Sequence, residues 1–255
     1  MNRLRRYLPA AVIVLALVGA WELYAELGGI DSFILPAPHQ VARSLYVDCS
    51  LLWSNFLVTA QEVGFGILLA LVVGFTLAVA VHLSQTLRRA LYPLLVGSQA
   101  IPIVVIAPLL VTWWGYGLGP KLPVIVLVCF FPIVVTTVDA LAAVDPDQLK
   151  LLRTFDASRL QAFRYAEAPA ALPAAISGAK IALAIAVIGA VFAEWTGSSA
   201  GLGYLVNVSI PQLETARAYA AVVVLAAFAV ACFYALALAE RRLAPWAYQP
   251  KGATS

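Results

Sequence analysis

Six apolar runs, most of them close to the length that crosses a bilayer, take up much of this chain: Leu8–Leu27, Val63–Val81, Pro102–Gly115, Leu122–Val144, Ala170–Ala193 and Ala216–Ala239. A spanning helix needs about 20 apolar residues, because a backbone in hydrocarbon must satisfy its hydrogen bonds internally. The runs are therefore read as six transmembrane helices of an all-α integral membrane protein. The charge content agrees: 11% of residues are charged, against about 25% in soluble domains. Six spans leave no room for a soluble catalytic domain, and no GxxxxGK[ST] loop occurs. The chain is expected to catalyse nothing and to hold no cofactor or metal of its own.

Basic residues set the expected orientation. With the N-terminus in the cytoplasm, that side holds Arg3, Arg5, Arg6, Arg88, Arg89, Lys150, Arg153, Arg159, Arg164, Arg241, Arg242 and Lys251. The outer side holds only Arg43, Lys121 and Arg217, while Lys180 falls within a span. This is a strong positive-inside bias, and both termini are placed in the cytoplasm. The net charge of +3 then reflects topology, and nucleic acid is not an expected partner. Cys129 and Cys232 fall in spans and Cys49 stands alone outside, so no disulfide framework is expected. Arg3, Arg5 and Arg6 before an apolar run ending in Val18-Gly19-Ala20 have the outline of a secretory signal. The run continues through Trp21, Leu23, Tyr24 and Leu27, which suits a retained anchor.

Three regions follow. Residues 1–50 form the first span and an outer segment in which Pro36 and Pro38 force an extended entry to a short interfacial helix. Residues 51–245 form the main transmembrane domain, with an amphipathic lead-in through about Glu62 before the second span. Residues 246–255 form a cytoplasmic tail. The third span is short and extends back toward Leu91; Pro93, Pro102 and Pro108 must kink or break it. Broken helices at membrane depth are tolerated beside protein or a water-filled cavity, which makes Gln99–Pro108 a candidate translocation path.

Between the fourth and fifth runs lies a polar, basic island, Asp145–Pro173, far longer than a turn requires. It holds two short helical patterns around Phe155-Asp156-Ala157-Ser158, then prolines that open the fifth run. Phe155, Leu160 and Phe163 are spaced apolar anchors flanked by Arg153, Arg159 and Arg164, a pattern suited to helix-in-groove docking. The fifth run carries a stripe of small residues, Ala174, Gly178, Ala182, Ala186 and Ala190. Such stripes let helices approach closely, either within one subunit or against a second one. Polar residues at membrane depth are functional suspects: Glu62, Gln99, Asp139, Lys180 and Glu194. Glu62 and Asp139 sit near span ends, where solvation or capping is expected, and the stem of Lys180 could snorkel toward the cytoplasm. Glu194 precedes Trp195 and the glycine-rich Gly197–Gly203 turn, where a gate or a contact with an external protein is expected.

The island resembles the cytoplasmic loop of permease subunits of bacterial ABC importers, the binding-protein-dependent inner-membrane family. That loop reads EAA, three residues, Gly, nine residues, then Ile-x-Leu-Pro. Lys150-Leu151-Leu152 stands for EAA, Asp156 for Gly, and Ala166-Glu167-Ala168-Pro169 for the closing element, with only Pro169 strictly kept. The sulfonate, taurine, nitrate and thiamine-precursor branch is matched better, through Asp156-Ala157-Ser158-Arg159, Phe163-Arg164, Pro169-Ala170-Ala171-Leu172-Pro173, Leu35-Pro36-Ala37-Pro38 and Gly201-Leu202-Gly203. The resemblance implies a type I importer permease fold with a coupling helix between spans four and five, in the bacterial inner membrane. It implies a cytoplasmic ATPase dimer that holds ATP and Mg, a second permease subunit, and an external solute-binding protein. Docking would fall to Lys150, Arg153, Phe155, Asp156, Ala157, Ser158, Arg159, Leu160, Phe163 and Pro169, and the translocation path to Gln99, Pro102 and Glu194. Ser98-Gln99-Ala100-Ile101-Pro102, Trp113-Trp114-Gly115-Tyr116-Gly117, Phe130-Phe131-Pro132 and Glu194-Trp195 look most like permeases for thiamine-pyrimidine precursors or riboflavin. Sulfonate, taurine or nitrate import is the alternative. An ion-coupled secondary transporter would need paired intramembrane charges and inverted repeats, neither of which is evident in the sequence.

Overall fold

Helix formation follows the apolar runs almost without interruption. The computed structural model describes residues 3–248, and among them no strand occurs. The helices are α1 (Arg3–Leu27), α2 (Pro38–Val47), α3 (Cys49–Leu83), α4 (Gln85–Ser98), α5 (Ile103–Trp114), α6 (Leu118–Ala142), α7 (Pro146–Thr154), α8 (Arg159–Ala162), α9 (Ala168–Gly197), α10 (Leu202–Ser209) and α11 (Thr215–Leu243). Among the described residues, five helical stretches are apolar and long enough to cross a membrane: α1 from Leu8, α3, α6, the stretch from α8 through α9, and α11. The α4–α5 pair, bent by 97°, makes a sixth where its two halves are taken as one broken span. The lead-in and second span join in one helix of 35 residues. Of the expected tail 246–255, residues from 249 onward, Lys251 included, lie outside the described residues.

The chain divides into two units. One comprises the chain to Thr59 and Ser199–Ala226; the other comprises Ala60–Ser198 and the chain from Ala227 onward. In the second unit α6 and α9 pack along their length, and the small-residue stripe is the reason. Ala182, Ala186 and Ala190 are fully buried, and Cys129 Sγ reaches the Ala182 carbonyl at 3.2 Å. The stripe thus serves packing within this chain. A Cβ on Gly178 would lie 3.0 Å from the Pro132 carbonyl oxygen and 3.1 Å from Thr136 Cβ, and one on Gly189 would lie 2.8 Å from Val128 Cγ2. The α3 helix approaches the same partner through Gly66 and Gly74, set against Ile125 and Ile133. Gly178→Val is therefore expected to destabilise the fold by about 1–3 kcal/mol through overpacking, read as a lower melting temperature of the purified protein in detergent.

In the first unit, Pro38 opens α2 at a position that needs no N–H. The first N–H groups of α10 lack partners within their own helix. Asn55 Oδ1 accepts from the Gly201 N–H, and Thr59 Oγ1 accepts from the Leu202 N–H, both at 2.8 Å. Thr215 donates to the Phe33 carbonyl at 2.6 Å, and Arg217 pairs with Asp48 at 3.1 Å. The glycine-rich Gly197–Gly203 stretch, expected as a turn, runs into helix from Leu202. Its local signal, Gly201 with φ of +120°, marks the helix start and does not announce the eight-residue helix beyond it.

Candidate coupling loop and buried charge cluster

The polar island folds into two short helices joined by a tightly specified corner. Asp145 caps α7 by accepting from the Asp147 N–H at 2.9 Å, and Pro146 follows it. At the other end the Ala157 N–H bonds to the Leu152 carbonyl at 3.1 Å and the Asp156 N–H to the Arg153 carbonyl at 3.0 Å. This is a Schellman closure, whose C′ position favours the left-handed conformation and usually holds glycine. Asp156 occupies it with φ of +54°, a conformation that Asp tolerates better than most residues. Ser158 then opens α8 with a capping box: it accepts from the Gln161 N–H at 3.3 Å, and Gln161 Oε1 accepts from the Ser158 N–H at 2.7 Å. Asp156→Gly should fold with stability unchanged within about 0.5 kcal/mol, whereas Asp156→Val should lose about 1–2 kcal/mol, because a β-branched residue is strained at positive φ. Thermal melts of the two variants check this.

The island's side chains divide into two groups. Phe155 is 75% exposed and Leu160 69%, with Leu151 and Tyr165 exposed nearby; neither of the latter two was singled out from sequence. Lys150, Arg153, Asp156, Ser158 and Arg164 are exposed and Ala157 is half-buried, with Lys150 paired to Asp147 at 2.8 Å. Phe163 departs from its expected role as an exposed anchor. It is half-buried, and its ring centroid lies 6.5 Å from that of His82. Arg159 is likewise more than a flanking charge: its Nη1 donates to Glu167 Oε1 at 2.5 Å. His82 Nε2 lies 3.0 Å from Glu167 Oε2 and 3.1 Å from Arg159 Nη2. A guanidinium only donates and an ionised carboxylate only accepts, so this imidazole nitrogen serves one neighbour at a time. Buried Glu167 thus ties α8 to the end of α3.

Glu167 ends a π-helical turn, Phe163–Glu167, that leads into α9. Pro169 lacks the N–H that would bond four residues back, and the wider turn accommodates that loss where the island joins the span. Such turns recur at functional sites.

Gln99 and Pro102 both fall in the break between α4 and α5 and are exposed. Glu194 is not beside them among the contacts described. It is 1% exposed, as is Glu62, and its carboxyl lies beside that of Glu62. One expectation is corrected here: Glu62 is not a solvated helix end, because Lys121 Nζ donates to Glu62 Oε1 and, at 2.7 Å, to Ser198 Oγ. All three ionisable groups are buried, which satisfies the need of a buried charge for a partner. The burial of Glu194 also closes it to direct contact with an external protein in this arrangement. Asp139 is exposed. Lys180 is held by Glu240 at 2.7 Å with the Phe233 ring 5.9 Å away, so it is paired within the protein and does not need to snorkel.

The model of the family described as "Binding-protein-dependent transport system inner membrane component" matches residues 65–246. The formylaminopyrimidine transport permease protein ThiX of Halalkalibacterium halodurans is 34% identical over 247 residues, covering 96% of this chain and 98% of its own. The riboflavin transport system permease protein RibX of Chloroflexus aurantiacus is 35% identical over 237 residues, covering 92% and 88%. Among solved structures, an inward-facing form of the MetNI methionine ABC transporter aligns with a TM-score of 0.60 at 16% identity, covering 80% of this chain and 98% of that one. At that identity the likeness concerns the fold alone.

Proposed function

We propose that this chain, which belongs to the family of binding-protein-dependent transport system inner membrane components, imports a nitrogen heterocycle of the thiamine-pyrimidine type. It is a non-catalytic, multi-pass ABC importer permease subunit of the inner membrane. In the proposed assembly two copies pair, a cytoplasmic ATPase dimer holds ATP and Mg, and an external binding protein delivers the solute. The termini lie in the cytoplasm, which puts Asp145–Pro173 on the motor's side and the Gly201 turn outside. One observation carries the coupling role: Phe155 and Leu160 stand exposed on a preformed corner whose other side is held by the Arg159–Glu167–His82 contacts. ATP-driven closure of the motor would move α8 and, through the π-turn, the start of α9. Each ligand would then bias one of two packings. Gln99 and Pro102 line the proposed path at the α4–α5 break, and Glu194 holds its outer end through the buried cluster.

The substrate reading is supported by relatives named for formylaminopyrimidine and riboflavin, both nitrogen heterocycles, that align along most of the chain. It is tested by reconstituting the permease with its ATPase and binding protein and measuring uptake of labelled formylaminopyrimidine against labelled taurine. Preferential pyrimidine uptake is expected. Preferential taurine uptake would replace this reading with the sulfonate one.

A further inference from the structure

We infer that His82, at the end of α3, is a protonation-dependent positioning residue for the coupling corner: uncharged, it holds the Arg159 guanidinium at the start of α8, and charged, it releases it. The inference rests on the coupling role proposed above and adds a control to it. A fall in cytoplasmic pH would loosen the corner on which the motor acts.

The geometry sets up a conflict at one atom. His82 Nε2 lies 3.0 Å from Glu167 Oε2, which as a carboxylate oxygen only accepts, and 3.1 Å from Arg159 Nη2, which only donates. A lone pair on Nε2 accepts from Arg159 and faces the carboxylate unfavourably. A proton there serves Glu167 and opposes the guanidinium N–H. The two contacts are therefore alternatives, and the choice follows the charge of the imidazole, the side chain that ordinarily changes charge between about pH 5 and 8.

Burial decides which partner moves. The side chain of Glu167 is 2% exposed and that of His82 12%, whereas that of Arg159 is 51% exposed. Neutral His82 leaves a balanced trio, one guanidinium against one carboxylate, with Arg159 bound through Nη1 to Glu167 and through Nη2 to His82. Protonation adds a second cation beside the same carboxylate. Buried Glu167 must keep a partner, and the imidazolium supplies one, so the member already half in water leaves at least cost. Among the described contacts, Glu167 from the π-turn and Arg159 from α8 are the charged groups that face the imidazole, and Phe163 sets its ring beside it. Arg159 is the first residue of a four-residue helix, too short to hold its place without tertiary contacts. Releasing Arg159 thus loosens the adjacent anchor, Leu160, from the end of α3 and the start of α9.

The test measures solute uptake per ATP hydrolysed in proteoliposomes holding permease, ATPase and binding protein, with pH varied only on the ATPase side. The probe is whichever of labelled formylaminopyrimidine and labelled taurine the wild type imports, and the ratio removes the motor's own pH dependence. Wild-type coupling should fall several-fold from about pH 8 to about pH 6. His82→Gln, which cannot titrate, should give a flat profile, and His82→Lys, a cation throughout this range, should stay at the low-pH level. Melting temperatures check that both variants fold; should His82→Lys fail to fold, the His82→Gln profile decides alone. A wild-type ratio that does not change with pH, a His82→Gln profile that falls as the wild type's does, or a folded His82→Lys that couples as the wild type does at pH 8 overturns the switch. The Phe155→Asp, Leu160→Asp variant separates the two claims. Undiminished uptake in that variant sinks the coupling reading itself; its loss, with a pH response that His82→Gln retains, sinks the switch and spares coupling.

Discussion

Lys121→Met is expected to cause the greatest loss of stability of any single substitution in the membrane domain. It would strand Glu62, buried beside Glu194, without the ammonium that pairs with it. Removing one partner of a buried pair costs about 3–5 kcal/mol, because the remaining charge keeps its desolvation penalty, whereas removing both is often close to neutral. Lys121→Met should therefore yield little folded protein by fluorescence-detected size exclusion and a melting temperature well below that of the wild type. Combining it with Glu62→Gln removes one charge of each sign and should recover most of the loss. Equal instability in the single and double variants would show that packing around Lys121, and not charge balance, is what matters there. Lys121 also sits in the first turn of α6, where the helix dipole disfavours a cation, so the Glu62 carboxylate offsets an unfavourable position.

Phe155→Asp with Leu160→Asp is expected to do the opposite: leave the fold intact and abolish transport. Both side chains are mostly exposed, so their replacement removes little internal packing. As anchors in an ATPase groove they would be central, desolvated contacts, the kind that dominates binding energy at about 2 kcal/mol or more each. Together they predict a loss of ATPase affinity of at least about a hundredfold. The melting temperature of the isolated permease should stay within about a degree or two of the wild type, as expected for surface substitutions. Phe163→Ala makes a useful contrast: its ring packs near His82 inside the loop, so it should lower stability as well as coupling.

Much of this is legible in the sequence, and the exceptions have a common cause. The spans follow from run length, the α4–α5 break from Pro102 and its neighbours, and the short helices of the island from the two helical patterns around Phe155-Asp156-Ala157-Ser158. The left-handed Asp156 followed from comparison with a glycine position, since Asp is among the few residues that can stand in for it. What sequence could not give is pairing across distance. Lys121 and Glu62 are 59 residues apart, and His82 and Glu167 are 85 apart. Each alone reads as a loop charge or a helix end, and only the packing of α3, α6 and α9 makes them a pair. Phe163 was misjudged for a related reason. Its spacing from Phe155 and Leu160 suggests a common face, but the π-turn that begins at Phe163 changes the helical register, and the ring turns toward His82.

The central claim is that Asp145–Pro173 receives work from a separate ATPase. Its most direct test is solute uptake into proteoliposomes holding the permease, its ATPase and its binding protein, with ATP supplied on the ATPase side and the Phe155→Asp, Leu160→Asp variant run in parallel. Uptake that requires ATP and the ATPase, and that falls to background in the variant while the variant remains folded, is the predicted result. Uptake driven by an ion gradient without the ATPase, or undiminished in the variant, would contradict it.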